Sequence, residues 1–128
     1  MHEFPVHVYY EDTDLAGIVY YANYLKFIER ARTEWVRDQG VDQVQLKERD
    51  GVVFAVRRLE ADYLMPARFD EDLIVRTQVL QKTGVRIVLN QDVLRGRDLL
   101  FSAQVTLVAL SAEGAPVRLP AVIRRDLH

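Results

Sequence analysis

The chain has 128 residues, 49% of them hydrophobic and 28% charged, the balance of one globular domain with a single core and not of a disordered chain. A formal net charge of -2 gives no electrostatic basis for nucleic acid or an anionic membrane as the main partner. Cysteine is absent, which excludes disulfides, thiolate nucleophiles and cysteine-ligated metals.

The N-terminal segment, MHEFPVHVYYEDTD, has no basic start followed by an apolar run, so no signal peptide is expected. No stretch approaches the roughly 18 consecutive apolar residues of a membrane span. A cytoplasmic protein is the expectation. Residues 4–11 alternate Phe4, Val6, Val8 and Tyr10 against Pro5, His7, Tyr9 and Glu11, a strand pattern. Residues 24–39 bring Tyr24, Phe27, Ile28, Ala31 and Trp35 onto one helical face, with Asn23 as N-cap and Gly40 at the C′ position. On the opposite face, Glu29 with Arg32 and Arg30 with Glu34 have the spacing of surface ion pairs.

A helical turn is expected at 43–49. Strand patterns follow at 52–64, 73–81, 85–94 and 99–110, separated by a break around Pro66 and by the turns QKTG and RGRD. The tail PAVIRRDLH reads as a short helix entered at Pro120. One strand, a long helix and four strands joined by short turns make an α+β domain with an antiparallel sheet and one helical layer over residues 1–128.

Chemistry concentrates where the first strand hands over to the helix, in VYYEDTDLAGIVYYANY. Glu11, Asp12 and Asp14 are crowded there, and Gly17 allows a tight turn. Two readings of Asp14 stand on spacing alone. It is a turn carboxylate accepting local amide hydrogen bonds, or it works beside the unpaired N–H groups of the helix start, which can polarise a carbonyl oxygen. In the second reading the carboxylate attacks the carbonyl carbon or activates water. Glu11 and Asp12 are expected in turn or surface roles, and most of the tyrosines in packing.

Other chemistries fit poorly. A calcium loop beginning at Asp12 would have Ala16 at its fifth position and Asn23 at its twelfth, where a bidentate glutamate is needed. His2, His7 and His128 have no metal-ligand spacing, so no metal site is expected. Ser102 and Ser111 lack the glycines of a nucleophile elbow. Lys82, near Arg86 at a hairpin tip, is a candidate phosphate contact by location.

The segment VYYEDTDLAGIVYYANYLKFIERARTEWVR closely resembles the signature of hot-dog-fold acyl-CoA thioesterases of the 4-hydroxybenzoyl-CoA thioesterase and YbgC type, and the strand order supports the likeness over nearly the whole chain. The stretch ADYLMPARF resembles the family's YMPA break, with Leu64 inserted between Tyr63 and Met65. The resemblance implies a hot-dog fold, one long central helix wrapped by a curved antiparallel five-stranded sheet. It implies an acyl-CoA substrate, no cofactor beyond the CoA of that substrate, and a homo-oligomer, dimer or tetramer of two dimers, with active sites between subunits.

Asp14 falls on the catalytic aspartate. Gly17 and the Tyr21 N–H fall on the carbonyl-polarising segment, and Tyr10, Ile18 and Val19 on substrate contacts. Tyr21 stands where the YbgC branch has histidine. A phenol with a pKa near 10 carries protons poorly at neutral pH, which leaves position 21 its backbone role. A hydratase or dehydratase of acyl thioesters, and a non-catalytic acyl-CoA-binding dimer, are the alternatives.

Overall fold

The computed structural model describes residues 1–124. The alternating segments pair into one antiparallel sheet: β1 (His2–His7), β2 (Val53–Tyr63), β3 (Asp72–Lys82), β4 (Arg86–Arg95) and β5 (Asp98–Leu110), in the order β1-β3-β4-β5-β2. A sixth strand, β6 (Pro116–Val117), pairs with Ala109 and Leu110 of β5. The sheet therefore has one strand more than alternation predicts, since two residues are too few to alternate. Register shifts between Val56 and Arg58, Val79 and Gln81, and Val93 and Leu94 bend and twist the three strands that carry them.

The concave face holds α1 (Asn23–Asp38), as the resemblance implies. Tyr24, Phe27, Ile28, Ala31 and Trp35 are buried against Leu73 and Val75 of β3, Ile87, Leu89 and Val93 of β4, and Phe101, Val105 and Leu107 of β5. Each large apolar side chain removed from water contributes about 1.5–3 kcal/mol, so this face drives the association of helix and sheet. The helix packs on β1, β3 and β4. The same face of β2 lies beyond its reach. Val56, Leu59 and Tyr63 are 44%, 37% and 49% exposed, although their cross-strand partners Leu107, Val105 and Phe101 are buried.

Local details differ from the sequence expectation. β1 ends at His7, and Tyr10–Asp12 form a 3-10 turn where alternation suggested continued strand. Asn23 is the first helical residue and not the cap. The cap position is Ala22, and the Asn23 side chain instead donates to Asp12 Oδ1 at 2.9 Å. Gly40 has φ 91°, in keeping with its C′ position. Arg32 turns inward to donate to Gln91 Oε1 at 2.9 Å, while Glu34 pairs with Arg37 at 2.8 Å, so neither expected ion pair forms. Gln91 sits in the core because its amide also donates to Ile28 O and Thr77 Oγ1. The turn after α1 becomes α2 (Gln43–Asp50), capped by Asp42, whose carboxylate accepts from Val44 N and Gln45 N. The described part of the tail helix is α3 (Ala121–Arg124); the expected continuation through residues 125–128 lies outside the described residues.

Candidate active site

Asp14 opens a tight loop. Its N–H donates to Ile18 O at 3.0 Å, its C=O accepts from Gly17 N at 2.9 Å, and its Oδ1 accepts from Ala16 N at 2.9 Å. The second carboxylate oxygen has no partner among the described residues. Gly17 closes the loop at φ 79°, a conformation that L side chains rarely adopt, although a Cβ there would meet nothing within 4 Å. The loop is docked from outside by Val19 N donating to Ala67 O at 2.8 Å and by an antiparallel bridge from Ile18 to Arg68.

Two residues after Val19 the chain turns toward α1. Tyr20 N donates to Asp12 O and Asn23 N to Tyr20 O. Among the described residues the N–H groups of Tyr21 and Ala22 find no acceptor. They sit at the positive end of α1, where aligned peptide dipoles amount to roughly half an elementary charge. Asp12, which the sequence reading put in a turn or surface role, is 6% exposed. Its carboxylate accepts from Tyr9 N at 2.8 Å and from the Asn23 amide.

The facing wall comes from the end of β2 and the segment after it. Tyr63 Oη donates to Tyr21 O at 3.0 Å. Leu64 N and Met65 N donate to Leu100 O. Tyr24 Oη accepts from Ala67 N at 3.0 Å while its ring stacks on Phe101 with centroids 4.9 Å apart. Arg95 holds the segment from below, donating to Pro66 O and pairing with Glu71 at 3.0 Å. Between the walls lies a cleft of about 410 Å³ that Asp14, Ile18, Val19 and Tyr21 line together.

The cleft's electrostatics separate its ionisable groups. The adjoining Tyr21 phenol, with desolvation and the Asp14 charge adding to it, raises the Tyr20 pKa. Burial raises Tyr24 and, with Tyr21 as the smaller cause, Tyr63. These three phenols are therefore neutral at physiological pH and do not act as bases. Among the described residues Asp14 is the single carboxylate lining the cleft. Asp14, with a carboxylate oxygen that has no partner among the described residues, and Tyr21, whose N–H has no acceptor among them, line one cleft, and such groups can attack and stabilise a carbonyl group.

The remaining expected site residues lie elsewhere. Tyr10 is 80% exposed and packs edge-on against Phe69, outside the cleft lining. Lys82 closes β3, whose 11 residues span roughly 36 Å at ~3.3 Å each, at the end opposite the Asp72–His7 pair that adjoins the cleft segments. Tyr20, Tyr63, Leu64 and Met65 line the cleft without having been singled out for it. The YMPA-like stretch was the one available signal for the last three. A larger hollow of about 780 Å³, beside Val56, Val85 and Val108, is lined by Arg57 and Arg86 and, among the described residues, by no carboxylate. Among the described residues no group of three His, Asp or Glu side chains could hold a metal ion, and no helix is long and apolar enough to cross a membrane.

Comparison with known proteins adds an independent line. Residues 8–127 match the sequence model of the thioesterase-like superfamily. Acyl-CoA thioesterase YbgC of Haemophilus influenzae is 39% identical over 126 residues, 98% of this chain and 93% of the relative. The crystal structure of a probable thioesterase from Bartonella henselae superposes with a TM-score of 0.89 at 38% identity, covering 93% of this chain and 98% of that one. A 1,4-dihydroxy-2-naphthoyl-CoA thioesterase from Synechocystis superposes with a TM-score of 0.88 over 98% of this chain and 96% of its own, and at 22% identity that likeness speaks to the fold alone.

Proposed function

Because this chain belongs to the thioesterase-like superfamily, we infer that it hydrolyses acyl-CoA thioesters to a carboxylic acid and free CoA, with Asp14 in charge of the nucleophilic step. The observation that carries the reading is the free Asp14 carboxylate oxygen in the same cleft as the unpartnered Tyr21 N–H. The thioester carbonyl oxygen takes the Tyr21 N–H as donor. Charge that develops on this oxygen is then met by a fixed dipole at the helix start, an effect typically worth 10²–10³ in rate per donor.

Asp14 acts in one of two ways. As nucleophile, its carboxylate oxygen bonds to the carbonyl carbon, the C–S bond breaks, and CoA leaves as a thiolate that takes up a proton. Water then hydrolyses the resulting anhydride. As general base, Asp14 takes a proton from a water whose oxygen bonds to the same carbon before the C–S bond breaks. Gly17 sets the loop that aims the carboxylate, and Ile18 and Val19 wall the acyl group. Neither route requires a cofactor beyond the substrate's own CoA.

The proposal includes a cytoplasmic enzyme acting as a homo-oligomer. The uncovered apolar face and free edge of β2 support a second copy. Contacts from Lys82 to CoA phosphates at this cleft would have to come from such a copy, given its place at the far end of β3. Tyr10, beside the 14–18 loop, is proposed as a contact for the substrate outside the cleft.

Asp14→Asn tests the mechanism. Thiol release from a panel of short, aromatic and long acyl-CoAs is expected to fall at least 10³-fold on every substrate that the parent turns over. An unchanged rate would remove Asp14 from the mechanism, and binding without turnover by the parent chain would favour a non-catalytic acyl-CoA-binding protein. Single turnover in ¹⁸O-water reads the nucleophile route: label in the Asp14 carboxylate appears when water attacks the aspartyl carbonyl of the anhydride, and never when Asp14 acts as general base.

A further inference from the structure

Asp12 is a buried carboxylate with no ion pair among the described residues, two residues from the proposed catalytic group, and the mechanism above gives it no work. Burying a charge costs several kcal/mol unless hydrogen bonds offset it. Both of its oxygens are used. Oδ2 accepts from Tyr9 N at 2.8 Å, and Oδ1 accepts from Asn23 Nδ2 at 2.9 Å.

The bond to Asn23 closes a ring. Asp12 C=O accepts from Tyr20 N at 2.9 Å, Tyr20 C=O accepts from Asn23 N at 2.8 Å, and the Asn23 amide returns to the Asp12 carboxylate. Inside that ring stand Tyr21 and Ala22, the two residues whose N–H groups have no acceptor. Both ends of this two-residue span are tied to Asp12, while the span itself contributes no N–H to the tie. On the outer side Tyr63 Oη fixes Tyr21 C=O. The position of the Tyr21 peptide is thus set by Asp12 and Asn23 from within and by Tyr63 from without. No side chain at the cap position Ala22 can do it, because alanine offers no acceptor.

We propose that Asp12 and Asn23 are a positioning pair for the reaction: their side-chain hydrogen bond holds the Tyr21 N–H at the thioester oxygen. This rests on the reading of that N–H as the polarising donor. Neither residue touches the substrate. The carboxylate type at position 12 follows from the task, since one side chain must accept from two donors on opposite sides, the strand exit and the helix start. A donor misplaced by about an ångström loses up to 10²-fold in rate while leaving binding of the acyl-CoA body in place.

The test is steady-state thiol release together with affinity for an S-alkyl-CoA thioether, which has the CoA body and no carbonyl. For Asn23→Ala the expected result is a kcat lower by about 10–100-fold, a KM within about 2-fold of the parent, and an unchanged Kd for the thioether. Asp12→Ala combined with Asn23→Ala is expected to lose no more kcat than the worse single variant, since both act through one bond. Where Asp12→Ala does not fold, Asn23→Ala decides alone. A kcat for Asn23→Ala within 2-fold of the parent overturns the pairing, and so does a loss of thioether affinity that parallels the loss of rate. If Asp14→Asn abolishes hydrolysis while Asn23→Ala leaves it intact, only this inference fails. If Asp14→Asn has no effect, the underlying mechanism fails first.

Discussion

Gly17 has φ 79° and open space around it, which separates two reasons for a glycine. Nothing would clash with a methyl group, so the residue serves conformation and not close approach within the chain. Gly17→Ala is expected to cost about 1–2 kcal/mol from left-handed strain alone. Thermal unfolding should record a loss of a few degrees in Tm, and a Tm equal to the parent's would show that the loop relaxes without cost. At this scale the sequence was informative where chemistry is local. Asp14, Gly17 and the helix start lie within ten residues, and spacing joins them. Asp12 stands in a turn, as expected, but its burial was not legible because it depends on what folds over the turn. Tyr63 escaped because its bond to Tyr21 O crosses 42 residues.

The elements around the cleft are tied together at the end of β1. His7 Nδ1 meets Asp72 at 2.7 Å and Nε2 meets Asp70 at 2.9 Å, with the Tyr9 ring edge-on at 5.0 Å. The hydrogen bond to Asp72 is the main cause of a raised His7 pKa, with Asp70 adding to it against some desolvation. A raised folded pKa means stabilisation present in full below the ordinary value of about 6.5 and lost as pH rises through the folded value. The parent should therefore exceed His7→Gln in Tm at pH 6, and the gap should close as pH rises through the raised folded value. A gap that widened with pH would contradict the ion pair. Strand and helix periods were legible because they repeat. The end of β1 was not, since Val8 and Tyr10 continue the alternation although the strand ends at His7 and a 3-10 turn begins at Tyr10. Asn23 looked like a cap by residue type, but Asp12 outcompetes the backbone for its side chain.

The two-layer architecture follows from one apolar helix face and alternating strands. Which part of the sheet the helix leaves bare depends on strand order, and single-strand patterns do not carry it. The bare part is the β2 face with Val56 and Leu59. If copies of this chain meet on that face, as proposed, Leu59→Glu is expected to shift the protein toward monomer in analytical ultracentrifugation with the fold retained, because a charge would enter a face now apolar. Sedimentation identical to the parent's would place the subunit contact elsewhere. One residue belongs to two parts of the molecule. The Tyr24 ring is core, stacked on Phe101, and its hydroxyl anchors Ala67 beneath the cleft wall. Leu64 and Met65, by contrast, are exposed at the mouth and held there by their backbones alone. Evolution toward a new acyl group thus has two inexpensive positions and one forbidden one: a library varied at 64 and 65 samples specificity, whereas one varied at 24 samples misfolding.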